Sequence, residues 1–119
     1  MSDAHLDPEA IANLRAVNPD DGGEFLRELI DIFLADTPER IAEIEQALGV
    51  GEAEVVSRAA HSIKGSAGNF GAVELASLAR GIEQQGNARD FTAARAGLAG
   101  LRAEFARART VLERLKQSP

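Results

Sequence analysis

The chain has no cysteine, no tryptophan and no tyrosine, and only one methionine and two histidines in 119 residues. Without cysteine there is neither a disulfide framework nor a thiolate metal site. Without tyrosine or tryptophan, and with alanine and leucine abundant, the composition favours helices packed on helices over sheets. Cations are outnumbered, 13 Lys and Arg against 19 Asp and Glu, for a formal net charge of −6. That balance argues against nucleic acid as a partner. No apolar run approaches the length of a membrane span. The opening Met-Ser-Asp-Ala-His lacks the basic-then-apolar pattern of a signal peptide. A soluble cytoplasmic protein is expected, folded as a single domain over residues 1–119 around one core. No Gly-rich phosphate loop, no Ser-His-Asp or paired-carboxylate constellation and no Asp/Glu cluster suited to Mg²⁺ stands out. No metal site is therefore expected, and the chain is not expected to bind ATP.

What is present is helical periodicity. Asp7-Pro8-Glu9 is a helix start, with an N-cap residue and proline in the first turn, opening a short helix over about 7–17 with Ile11 and Leu14 apolar. Asn18 to Gly23 is a loop by its turn residues. Residues 24–35 carry Phe25, Leu26, Leu29, Ile30, Phe33 and Leu34 at helical spacing. Asp36-Thr37-Pro38-Glu39 is expected to end that helix and start another over 38–49, with Ile41, Ile44 and Leu48. Further helices are expected over 52–69, 72–85 and 91–116, the last with Leu98, Leu101, Phe105, Ala108, Leu112 and Leu115 as its stripe. Gly86 to Asp90 reads as a turn. Four long helices joined by short turns imply an antiparallel, up-down-up-down four-helix bundle, with two short N-terminal helices capping one end.

The helix over 52–69 has two unlike faces. At about 100° per residue, Val56, Ala59, Ala60, Ile63, Ala67 and Phe70 fall on one side. Glu54, Ser57, His61, Lys64, Gly65 and Gly68 fall on the other. A glycine inside a helix costs about 1 kcal/mol relative to alanine, and this polar face carries two. Missing side chains beside His61 leave its imidazole open to a large partner. Lys64, one turn on, sets a positive charge within reach of whatever the imidazole carries. An exposed histidine, cleared on one side and flanked by a cation, suits carriage of an anionic group. Phosphoryl is the natural candidate, because imidazole nitrogen is nucleophilic near neutral pH. A buried structural histidine would instead share the face of Ala59, Ile63 and Phe70. Gly68 could alternatively allow close packing of a neighbouring helix, and Gly71 reads as a helix terminator or turn residue. His5 precedes the first helix and is given no role.

The run His61-Ser62-Ile63-Lys64-Gly65-Ser66-Ala67-Gly68-Asn69-Phe70-Gly71-Ala72 resembles the signature of histidine-containing phosphotransfer (HPt) domains. Phe25 to Phe33, Leu75, Leu78 and Glu83 also fit that pattern, so the resemblance spans about Leu6 to Leu115. It implies a four-helix bundle, phosphorylation of His61 on Nε2, an electrostatic role for Lys64 and a Gln or Glu on the next helix that orients the histidine. It also implies a passive carrier, with the donating aspartate, the Mg²⁺ and most of the chemistry supplied by receiver domains of response regulators or hybrid kinases.

Counting ten residues back from the Phe70-Gly71 turn reaches His61, and ten forward reaches Gly81. Glu83, Gln84 and Gln85 are thus candidates to orient His61; the resemblance favours Glu83, with Gln84 or Gln85 as alternatives. The docking face is expected over Gly65 and Gly68, or else towards Ser57, Arg58 and Ser62. The expected function is a phosphorelay carrier, a monomer that takes phosphoryl from one receiver and gives it to another. The competing classes are a scaffold bundle with an idle His61 and the phosphoacceptor hairpin of a sensor kinase. The latter has an acidic residue after its histidine, whereas here Ser62-Ile63-Lys64-Gly65 follows. The starting Met and short tail suggest a stand-alone protein.

Overall fold

A computed structural model of the chain describes residues 6–117; His5 lies outside them. Five α-helices follow one another: α1 Pro8–Val17, α2 Glu24–Val50, α3 Ala53–Asn69, α4 Val73–Asn87 and α5 Phe91–Gln117. Among the described residues the one β-type pairing is an isolated antiparallel bridge between Leu6 and Ala72. α2 packs on α3 and α5, α4 packs on α3 and α5, and α1 rests on α2 and α3. The result is an elongated helical bundle, 47 × 28 × 19 Å.

Local chemistry places the start of α1 and both ends of α2. The Asp7 side chain caps α1 by accepting from Glu9 N at 3.0 Å, with Pro8 in the first turn. Asp21 does the same for α2, accepting from Gly23 N at 2.8 Å and Phe25 N at 2.9 Å. The Phe25 hydrogen bond is the chief reason its carboxyl sits below the usual aspartate range. α2 stops at Gly51, left-handed at φ 73°.

The expected break at Pro38 does not occur: residues 24–50 form one 27-residue helix with Pro38 inside it. Proline cannot donate to the carbonyl four residues back and crowds it, at a cost of about 3 kcal/mol in an isolated helix. Packing outweighs that cost here. The buried positions Leu26, Ile30, Phe33, Thr37, Ile41, Ile44 and Leu48 keep spacings of three and four straight through the proline. A new helix at 38 would have to re-establish this stripe. Hence one short N-terminal helix, α1, exists where two were expected.

The second correction concerns Gly86, read from sequence as the start of a turn. It is buried within α4, where an added Cβ would lie 3.0 Å from Val56 Cγ1 and 3.2 Å from Ser57 N. It lets α4 approach α3. The left-handed residue of the following turn is Arg89, at φ 57°. Elsewhere α3 and α4 bury small residues, Ala59, Ala60 and Ala67 on α3 and Ala79 on α4. Phe33 stacks obliquely on Phe70 and Phe105, with ring centroids 5.2 and 5.8 Å apart, tying α2 to the α3–α4 turn and to α5.

That turn is clasped by the N-terminal segment. Asp7 N donates to Gly71 O at 3.0 Å. Gly71 has φ +65°, and a Cβ there would fall on Asp7 Cβ and 2.7 Å from Asp7 N. Only glycine satisfies both the angle and the approach.

Candidate functional site

α3 buries Val56, Ala59, Ala60, Ile63 and Ala67, which turns His61 outward. Its side chain is 66% exposed. α4 runs antiparallel beside it and presents a stripe at spacings of four, three and four: Ala76, Arg80, Glu83 and Asn87. This stripe faces the α3 stripe Ser57, His61, Lys64 and Gly68. Ser57 Oγ donates to Asn87 Oδ1 at 2.7 Å. One turn on, His61 Nδ1 lies 2.9 Å from Glu83 Oε2. Lys64 Nζ donates to the other Glu83 oxygen, Oε1, at 2.8 Å.

One half-buried carboxylate thus joins the imidazole to the cation. The Lys64 hydrogen bond, ahead of the His61 one, holds the Glu83 carboxyl below the usual glutamate range, against the opposing effect of partial burial. Glu83 is therefore an acceptor near neutral pH, and an acceptor facing Nδ1 selects the tautomer with its proton on Nδ1. Nε2 is then the nitrogen with a free lone pair, on an exposed ring.

Of the three orienting candidates, only Glu83 reaches His61. Gln85 turns to α5 instead: its amide nitrogen, oriented to satisfy both neighbours, donates to Gly81 O at 3.3 Å and Ala93 O at 3.2 Å. Gln84 is exposed, about 100° around α4 from Glu83. Gly65 and Gly68 are helical, and a Cβ at either would meet nothing within 4 Å. Gly68 therefore serves no close helix packing. Arg58 is exposed one turn before His61, while Ser57 is engaged by Asn87. Asn87 and Arg80 were not singled out from sequence. The signal was their four-and-three spacing about Glu83.

A helical bundle that presents one exposed imidazole, tethered through one nitrogen and open at the other, has the features of a histidine phosphocarrier. The chain belongs to the Hpt domain family, whose model matches residues 28–117. Hpt domains are phosphocarrier modules of phosphorelays, not catalysts in themselves. Among solved structures, it is similar to histidine-containing phosphotransfer protein B (HptB) from Pseudomonas aeruginosa PAO1, at 33% sequence identity and a TM-score of 0.86 over 95% of each chain. No curated protein sequence matches it. Among the described residues no helix is long and apolar enough to cross a membrane.

Proposed function

We propose that this protein is a cytoplasmic phosphorelay carrier on an up-down-up-down four-helix bundle, taking phosphoryl from a receiver-domain aspartate onto His61 and passing it to a second receiver. The observation that carries the reading is the Glu83 carboxylate on His61 Nδ1, which leaves Nε2 as the exposed nucleophile. The cyclic packing of α2, α3, α4 and α5 supports the bundle.

The transfer balances without a proton shuttle. The Nε2 lone pair attacks the phosphorus of an aspartyl phosphate. The P–O bond to the aspartate breaks, and its electron pair leaves on the carboxylate. Nδ1 keeps its proton, so the phosphorylated ring becomes cationic while still donating to Glu83. The charge that develops on the ring therefore faces an anion already in place. Lys64 has a flexible four-carbon stem and can swing from Glu83 towards the phosphoryl oxygens. Gly65 and Gly68 leave the partner room to bring its aspartate over the ring. The Mg²⁺ and the remaining charge neutralisation belong to the receiver, so the protein works as a monomeric substrate rather than an enzyme.

The test is incubation with phosphorylated receiver domains encoded in the same genome, followed by detection of acid-labile label. Wild type is expected to take up label and His61→Gln to take up none while melting normally. Label on His61→Gln at the wild-type rate would overturn the reading.

A further inference from the structure

The groove between the α3 and α4 stripes does not end at the histidine. One turn beyond it lies an open cavity of about 570 Å³, between the start of α1, the second half of α3 and the first half of α4. Its floor is apolar or small, with Gly68 and Ala76 among its residues, and Asp7 stands at its far side. Lys64 and Arg80 line the side nearer His61. The cavity and the phosphoacceptor site therefore share Lys64, and a protein seated over His61 on the glycine side covers both.

The two cations differ in their ties. Lys64 is held by Glu83 at 2.8 Å. Arg80 is exposed, and among the described residues no hydrogen bond or ion pair engages its guanidinium, although Asp7 shares the cavity. The opening thus offers a guanidinium without a direct partner on a rigid helix, with the Asp7 carboxylate elsewhere in the same cavity, on a protein whose net charge is −6. A planar guanidinium suits bidentate capture of a carboxylate.

Resting on the carrier reading above, we infer that the phosphodonor protein docks on the Gly65–Gly68 side of His61 and seats an acidic side chain with an apolar stem in this cavity, where Arg80 is its counter-ion and helps select which partners dock. Arg80 has no part in the bond-making step. Its effect falls on the concentration of partner required, not on the rate once the partner is bound.

The experiment compares wild type with Arg80→Lys, Arg80→Ala and Arg80→Glu, using two donors: a phosphorylated receiver domain from the same genome, and ammonium phosphoramidate, a small reagent that phosphorylates histidine without docking. With the receiver, Arg80→Ala is expected to raise the half-saturating concentration about three- to five-fold and Arg80→Glu about tenfold, each with an unchanged plateau, as for loss or reversal of a charge at an interface rim. Arg80→Lys should retain much of the affinity, and added salt should narrow the gap between wild type and Arg80→Glu. With phosphoramidate all four should label alike, and their melts should coincide. Wild-type concentration dependence of Arg80→Glu with the receiver would overturn the inference and leave the carrier reading intact. A lowered plateau would also overturn it, by moving Arg80 into the chemical step. If neither donor labels His61 in wild type, it is the carrier reading that fails.

Discussion

Replacing Glu83 by glutamine removes a charge and little volume from the centre of the site. The carboxylate faces His61 Nδ1 at 2.9 Å and Lys64 Nζ at 2.8 Å, and its side chain is 19% exposed. A hydrogen bond to a charged group contributes about 1.5–3 kcal/mol, and partial exposure puts each of these towards the lower end. Part of the His61 bond already exists before transfer, and only what strengthens as the ring becomes cationic lowers the barrier. If about half strengthens, the loss is about 0.7–1.4 kcal/mol, or about 3–10-fold in the rate of phosphoryl uptake. Glutamine can present an acceptor to Nδ1 or a donor, so the tautomer is no longer imposed. ¹⁵N NMR of the imidazole should show the Nδ1–H form dominant in wild type and reduced in Glu83→Gln. Stability gives an independent reading. The folded-state Glu83 carboxyl lies below its ordinary value of 4.5. The unfolded chain thus binds the proton more readily, and the contribution of Glu83 is present above that value and lost as pH falls through the folded one. Wild type should therefore melt above Glu83→Gln at pH 7, and the gap should close as the pH is taken below 4.5 towards full protonation. Uptake at the wild-type rate together with an unchanged tautomer ratio would refute the argument that Glu83 aims the ring.

Gly65→Gln should fold at least as well as wild type, since a Cβ there meets nothing within 4 Å, yet accept phosphoryl poorly from a receiver; normal transfer by a stable variant would move the docking face to the Ser57 and Arg58 side. Lys64→Ala should slow transfer or shorten the lifetime of the phosphohistidine several-fold without unfolding, the modest effect of one partly exposed charge; unchanged kinetics in both directions would make it an ordinary surface lysine. Gly71→Ala should lower stability by more than the roughly 1 kcal/mol of a left-handed alanine, because its Cβ would also displace Asp7; a denaturant titration matching wild type would mean that the N-terminal clasp contributes nothing.

The periodic segments could be read directly. α3, α4 and α5 each carry their apolar stripe within one run of sequence, and a stripe needs only its own helix to be defined. The outward phase of His61 relative to Ile63 and Ala67 is a property of α3 alone, which is why it was legible. Pro38 shows the limit of local signals. Its chemistry points to a break, but the core stripe from Leu26 to Leu48 runs through it unshifted, and burial of that stripe against α3 and α5 decided the outcome. The unbroken phase was visible in the sequence and outranked the proline.

Relations between helices were not legible in the same way. Counting from the turn reached the right level on α4 without separating Glu83, Gln84 and Gln85, and only the family resemblance put Glu83 ahead of the other two. These three differ by about 100° steps around the helix, and which step faces α3 depends on how the two helices are rotated against each other. Gly86 against Val56 and the buried Ala79 set that rotation, turning Glu83 to His61 and Gln85 to Ala93. The Asp7–Gly71 clasp and the cavity lined by Lys64 and Arg80 likewise join segments far apart in the chain. Sequence by itself determined which side of α3 turns His61 outward, because a helix fixes its own faces by local geometry. Only the tertiary structure decided which side chain of α4 meets the imidazole, because that depends on close packing between helices.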